Sequence, residues 1–249
     1  MHGKPSIIRE STKRPRVKLH RAILAILTIL IVLTGGEVRA QVSSSASIIS
    51  DYTFRGVSLS DGHWAPQVNL GYDHPSGLYA GASLSKVELQ EHASDEQLVT
   101  YAGYSRQLES GLSWEAGATN SAFLQTKRYS YSEIFAGLAS DHLSSRIYYS
   151  PNYYGENART VYAEVNGTYE VRDRIHLLGH IGFLHLLSST GGFVPPMTRR
   201  FDTRFGVSAG IADWTCQIAW VASERDRTNY PQYRDRNPRA IVLSALYSF

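Results

Sequence analysis

"TVYAEVNGTYE", residues 160–170, is the stretch whose reading decides the fold. Val161, Ala163, Val165, Gly167 and Tyr169 fall on one parity, and Tyr162, Glu164, Asn166, Thr168 and Glu170 on the other. Successive residues of a strand point to opposite faces, so extended chain here has one apolar side and one polar, charged side. About ten residues is also the length a tilted strand needs to cross a bilayer. In a soluble sheet the apolar side would turn inward. In an outer-membrane barrel it faces lipid and the charges line the lumen.

The rest of the chain favours the barrel. "FDTRFGVSAGI" (201–211) sets Phe201, Thr203, Phe205, Val207, Ala209 and Ile211 against Asp202, Arg204, Gly206, Ser208 and Gly210. "IVLSALYSF" (241–249) sets Ile241, Leu243, Ala245, Tyr247 and Phe249 against Val242, Ser244, Leu246 and Ser248. Short turn signals at 74–77, 108–111, 141–144, 171–174 and 212–214 alternate with longer polar connections near 56–63, 89–96, 123–129, 154–158, 188–200 and 225–238. Antiparallel hairpins with one short end and one long end have this rhythm. The expected fold is therefore all-β: a transmembrane, antiparallel, up-and-down β-barrel of about twelve strands, with both termini at the short-turn, periplasmic end.

Residues 1–40 are set aside as a secretory leader. Lys4, Arg9, Lys13, Arg14, Arg16, Lys18 and Arg21 precede the apolar run "AILAILTILIVLT" (22–34), and Val38-Arg39-Ala40 gives a small-residue cleavage site. That run is too short for a spanning helix of ~20 residues. The expected mature domain, 41–249, holds 17 basic and 20 acidic residues, so the basic balance of the whole chain belongs to the leader. No nucleic-acid partner is implied. The lone Cys216 cannot make an internal disulfide. No CxxC, HExxH, P-loop or GxGxxG pattern occurs, so no catalytic residue, metal or cofactor is assigned. The 16 tyrosines and 4 tryptophans would supply interfacial girdles.

"SDYTFRGVSLSDG" (50–62) opens the domain. As a barrel strand it would point Tyr52 and Phe54 at lipid near the outer interface, and Asp51, Thr53 and Arg55 into the lumen. The longer stretch 50–87 resembles the opening hairpin of the TorF-type porin family of proteobacteria. Ser50, Asp51, Tyr52, Phe54, Arg55, Gly56, Ser58 and Ser60 match that family's pattern, as do Ser76, Gly77, Tyr79 and Gly81. The chain departs from it at Ser85-Lys86, where the family often has Ser-Asn. The resemblance implies an outer-membrane location and a barrel, rather than a particular solute.

Parity assigns the pore lining to Asp51, Arg55, Gln67, Asn69, Glu115, Glu133, Arg146, Glu164, Asn166, Asp202 and Arg204. An Arg on the lipid face near the midplane would cost about 2–4 kcal/mol, which drives such charges inward. Glu115, Glu133 and Glu164 are expected to make one wall acidic, opposite Arg55 and Arg204, giving a transverse field. Eight strands make a filled barrel and about sixteen an open channel, so twelve allow a narrow pore or a plug. His176, His180 and His185 are read as structural or rim residues, because strand positions four apart lie about 13 Å from one another. Ile241, Leu243, Tyr247 and Phe249 form the pattern expected of a C-terminal assembly signal.

The expected function is passive diffusion of small hydrophilic solutes across the outer membrane, without a cofactor. Expected partners are outer-membrane lipid and lipopolysaccharide, the barrel-assembly machinery and those solutes. The alternatives are an enzymatic, lipase-like barrel or a structural, adhesive one acting through loops 188–200 and 225–238. Against the enzyme stands the context of the one G-x-S-x-G spacing, Gly206-Val207-Ser208-Ala209-Gly210, which falls inside the alternating strand segment 201–211 and not at a strand-to-helix elbow.

Overall fold

A computed structural model describes residues 41–90, 93–155, 157–190, 198–224 and 238–249. The leader and most of the two long loops at 188–200 and 225–238 lie outside the described residues, so the expectations placed on them are not addressed by the fold. Twelve long strands close into an antiparallel barrel. They are β1 (Gln41–Ile49), β4 (Ala65–Asp73), β5 (Leu78–Gln90), β6 (Ala93–Gln107), β7 (Ser113–Phe123) and β8 (Tyr131–Ala139). The circuit continues through β9 (Leu143–Tyr153), β10 (Ala158–Arg172), β11 (Ile175–Ser189), β12 (Arg199–Ile211), β13 (Trp214–Ser223) and β14 (Arg239–Ser248). Two short strands, β2 (Thr53–Phe54) and β3 (Val57–Ser58), pair only with each other. One 3₁₀ turn, Lys127–Tyr129, precedes β8.

β1 pairs with β14 on one side and β4 on the other, which closes the cylinder. Gln41 opposes Asp73 and Ser45 opposes Ser248, so the start of β1 and the end of β14 sit at the short-turn rim. Register is fixed by the period-two pattern, because a slip of one residue would turn every apolar side chain from the outer wall to the lumen. Val165, Phe205, Ile218 and Leu243 are exposed on the outer wall, whereas Tyr162, Glu133, Asp202 and Ser208 are buried within. At the short-turn rim, Trp214 packs on Tyr247 with ring centroids 5.0 Å apart, and Tyr104 on Trp114 at 5.6 Å. Amphipathic rings belong at such a level of a bilayer.

β5 and β6 depart from the sequence reading. Positions 89–96 were expected as a polar loop, but pairing continues to Gln90–Ala93. At 13 and 15 residues, these strands exceed the 9–11 that a bilayer crossing would need, so the hairpin extends the barrel wall on the long-loop side.

Candidate functional site

The lumen is divided by a hairpin that the chain folds into it. After β1, residues 51–63 turn inward as β2 and β3 instead of continuing along the wall. Phe54 pairs with Val57, leaving Arg55 and Gly56 as a two-residue loop in which both φ angles are positive, 48° and 76°. That is the left-handed pattern of a type I′ hairpin turn, whose twist suits two tightly paired strands. Asp51 fastens the base: Ser58 Oγ donates to its carboxylate at 2.5 Å, and Ser60 Oγ and the Gly62 N–H at 3.3 Å. The Glu88 N–H donates to the Leu59 carbonyl at 2.7 Å, tying the returning arm to β5. At the tip, a Cβ on Gly56 would lie 2.6 Å from Ser223 Cβ and 2.8 Å from Asp202 Cβ. Only glycine lets the tip touch the β12–β13 wall.

Arg55 reaches the opposite wall. Its Nη1 and Nη2 donate to the two oxygens of Glu133 at 2.8 and 2.7 Å, the bidentate geometry in which a guanidinium binds a carboxylate most strongly. Its Cζ lies 4.2 Å from the Tyr162 ring centroid, 4.8 Å from that of Phe54 and 4.9 Å from that of Tyr148. Burial works against the charge, but the Glu133 carboxylate outweighs it and holds the guanidinium protonated well above its ordinary range. Tyr52 donates to the Gln97 side-chain oxygen at 3.0 Å, and burial pushes its phenol up to about 12. Around the hairpin, Leu59, Val87, Leu89, Phe123, Tyr131 and Tyr153 form a buried apolar core across the long-loop half of the barrel.

The hairpin overturns three expectations. Tyr52 and Phe54 face the lumenal core and not lipid, because the segment is a hairpin inside the barrel rather than a wall strand. The tyrosines serve the interior more than the girdles: Tyr52, Tyr131, Tyr148, Tyr153, Tyr154 and Tyr162 all pack inside. The acidic wall with opposed arginines is not present either. Arg55 crosses to neutralise Glu133, and Arg146 neutralises Glu115 through Nε at 2.5 Å and Nη2 at 3.2 Å. Of the three glutamates, Glu164 alone forms no ion pair among the described residues. It accepts a hydrogen bond from Tyr148 Oη at 3.3 Å.

Beside and below the hairpin lies a cavity of about 940 Å³, whose lining runs from Ser43, Ser105 and Gln217 toward the short turns to Ser223 and Pro238 at the long-loop ends of β13 and β14. Asp51, Arg55, Glu115, Glu133, Arg146, Glu164, Asn166, Asp202 and Arg204 all line it, so most of the parity-assigned pore residues share one space. Gln67 and Asn69 face inward on β4 without reaching that lining, and Asn69 Nδ2 donates to Ser45 Oγ at 3.2 Å. Arg204 contacts the hairpin through Thr53 Oγ1 at 3.5 Å. His180 belongs to the same wall: Nε2 is 2.8 Å from Asp202 Oδ1 and Nδ1 is 2.7 Å from Asn166 Oδ1. His185 lies instead on the outer wall, its ring stacked near Phe183 with centroids 6.2 Å apart.

Sequence reasoning overlooked the aromatic lining. Tyr79, Tyr101, Phe135, Tyr148 and Tyr162 all face the cavity, and Tyr79 Oη donates to Glu115 at 2.7 Å. The signal was their parity. Each sits on the polar side of its strand, where a ring has lumen rather than lipid to meet. Gly182 makes room for one of them, since a Cβ there would come within 2.0 Å of Tyr162 Oη. In the C-terminal pattern, Ile241, Leu243 and Phe249 are exposed, and Tyr247 packs between Trp214 and Phe249.

Solved porins share this fold. The KdgM porin superposes with a TM-score of 0.50 at 9% identity, covering 84% of this chain and 99% of that one. The KdgM porin in complex with disordered oligogalacturonate superposes equally, at 0.50 and 10% identity, with the same coverage of 84% and 99%. The NanC porin reaches 0.54 at 11% identity, covering 84% and 99%. At these identities the likeness is one of fold. No curated protein matches the chain. A family model described as a bacterial protein of unknown function, Gcw_chp, matches residues 34–245, and the chain belongs to that family.

Proposed function

We propose that this chain is an outer-membrane channel for small polar solutes, delivered by a cleaved leader and narrowed by the hairpin that carries Arg55. The observation behind this reading is the cavity of about 940 Å³ inside a closed barrel, lined by paired charges and phenols where a filled barrel would carry apolar side chains. The fold shared with KdgM and NanC supports it, as does the resemblance of residues 50–87 to the TorF-type porins. The exposed C-terminal residues suit recognition by the assembly machinery, and the outer wall suits lipid and lipopolysaccharide.

The solute class follows from charge. The cavity is lined by Asp51, Asp73, Glu115, Glu133, Glu164 and Asp202 against Arg55, Arg146 and Arg204. Field lines focused in a narrow lumen would concentrate cations and repel polyanions. A solute of the oligogalacturonate kind, found with KdgM, is therefore disfavoured here, and neutral or cationic solutes are preferred. Purified protein in planar bilayers tests the proposal. Stepwise conductance, higher for K⁺ than for Cl⁻ and reduced by neutral polymers small enough to enter, is expected. Correctly inserted barrels without conductance, from which the hairpin has also been deleted, would refute it.

A further inference from the structure

The hairpin tip places its arginine in a site more complete than a tether requires. The two oxygens of Glu133 meet the guanidinium edge on, and ring centroids of Tyr162, Tyr148 and Tyr153 lie 4.2, 4.9 and 5.7 Å from Cζ. All four of these residues belong to the barrel wall, on β8, β9 and β10, and the hairpin contributes only Phe54. The wall therefore carries a planar carboxylate and three aromatic faces arranged for a planar cation, independently of the segment that fills it. Aromatic faces attract cations through their quadrupole, and a carboxylate matches a guanidinium fork in shape as well as charge. Glu133, Tyr148 and Tyr162 also line the open cavity, so a solute entering from the short-turn side can reach them.

The second lumenal pair shows what a plain ion pair looks like here. Arg146 holds Glu115, yet its side chain is 41% exposed and, among the described residues, lies over a single ring face, that of Phe135 at 5.6 Å. The side chains of Arg55 and Glu133 are 4% and 3% exposed. Taking two charges that far out of water is expensive unless the surroundings are built for them.

We propose that Glu133, Tyr148 and Tyr162 form a recognition site for solutes bearing a guanidinium or a similar planar organic cation. Arg55 occupies this site as an internal stand-in, and such a solute releases the hairpin by competing for it. The inference rests on the channel reading and gives it a ligand class and a trigger. Because a short tether holds Arg55 at an effective concentration on the order of millimolar, displacement needs free solute at about that level.

Calorimetry on the purified barrel with methylguanidinium, using methylurea as the neutral isostere, tests the site without relying on conductance. Heat-modifiable gel migration reports whether each variant is folded. Arg55→Ala should bind methylguanidinium at least about tenfold more tightly than the native barrel, having lost its internal competitor. The added change Glu133→Gln should remove that gain, and methylurea should bind none of the three. Arg55→Lys, which keeps the charge and loses the fork, should fall between native and Arg55→Ala. In bilayers, millimolar methylguanidinium should raise the conductance of the native channel and methylurea should not. A folded Arg55→Ala barrel that binds both probes alike, or neither, would overturn the proposal. Should that variant fail to fold, an Arg55→Lys barrel with native affinity would overturn it instead. Selective binding without conductance in any variant would refute the channel and leave the site standing, whereas conductance without selective binding would refute the site alone.

Discussion

The two halves of the lumen are walled by the same twelve strands, yet the long-loop half is packed from β5 to β10 and open only beside β13 and β14, whereas the short-turn half is open. On the long-loop side the inward parity carries Val87, Leu89, Phe123, Tyr131 and Tyr153, which pack on Leu59 of the hairpin. On the short-turn side the same parity carries Ser43, Gly71, Ser105, Asn166 and Gln217, and these line the cavity. Strand number sets the radius of a barrel, but the inward side chains decide whether that radius is used for packing or for water. The changeover occurs along single strands. β5 runs inward from Tyr79 through Gly81, Ser83 and Ser85 to Val87 and Leu89, becoming apolar where the hairpin meets it.

The sharpest way to break this comparison is to truncate one inward ring in each half. Phe123 is fully buried, and Phe123→Ala should destabilise the barrel by about 3–5 kcal/mol, the range for removing a packed aromatic. Tyr101 is 37% exposed within the cavity, so Tyr101→Ala should cost far less. Urea unfolding from lipid vesicles, followed by tryptophan fluorescence, reads both. Comparable losses would mean that the short-turn half is packed as well.

The same contrast holds for charge. Glu133→Ala leaves Arg55 buried without its counter-ion, which should cost about 3–5 kcal/mol and raise conductance as the tip loosens. Glu115→Ala strips a half-exposed Arg146 and should cost no more than about 1 kcal/mol. Equal penalties, measured by the same unfolding assay, would show that both pairs serve stability alike and that the hairpin has no special hold.

Outward parity, strand number and the short turns were legible in the sequence because each depends on local rules: period-two alternation, crossing length and turn residues. The hairpin was not, since "SDYTFRG" alternates aromatic and charged residues in the same way whether it walls a barrel or folds into one. Two signs were present. Arg55-Gly56 between Phe54 and Val57 suits a two-residue turn, which a spanning strand would not contain. Val87, Leu89 and Phe123 share the parity of polar neighbours, so the lumen there required an apolar partner. The lining of the site was largely readable by parity, whereas its pairing was not. Arg55 and Glu133 are 78 positions apart, and only the inward fold brings them together.

A smaller effect tests the outer surface against the open half of the lumen. Val165→Arg places a guanidinium on the outer wall, which the channel reading sets against lipid, and should cost about 2–4 kcal/mol near the midplane. Asn166→Arg, one residue on, places the same group in the cavity beside Glu164 and should cost clearly less. Identical penalties would mean a dry interior throughout, contrary to the division drawn between the halves.

The smallest expected change isolates the one glutamate of the original three that has no cationic partner among the described residues. Glu164 accepts only from Tyr148 and lines the cavity, so Glu164→Gln keeps the side chain's size and that hydrogen bond while removing a charge. A unit charge about 8 Å from a passing ion acts through roughly 0.5 kcal/mol in bulk water. At ~0.1 M salt the Debye length is about 10 Å and part of this survives, so the cation-to-anion permeability ratio should fall by about twofold. At ~1 M it contracts to about 3 Å, and the two channels should become alike. The paired Glu115 offers the control: Glu115→Gln frees Arg146 as it removes the carboxylate, so its shift toward anions should be at least as large. A ratio untouched by Glu164→Gln at low salt, with Glu115→Gln still effective, would place the ion path away from the β10 wall.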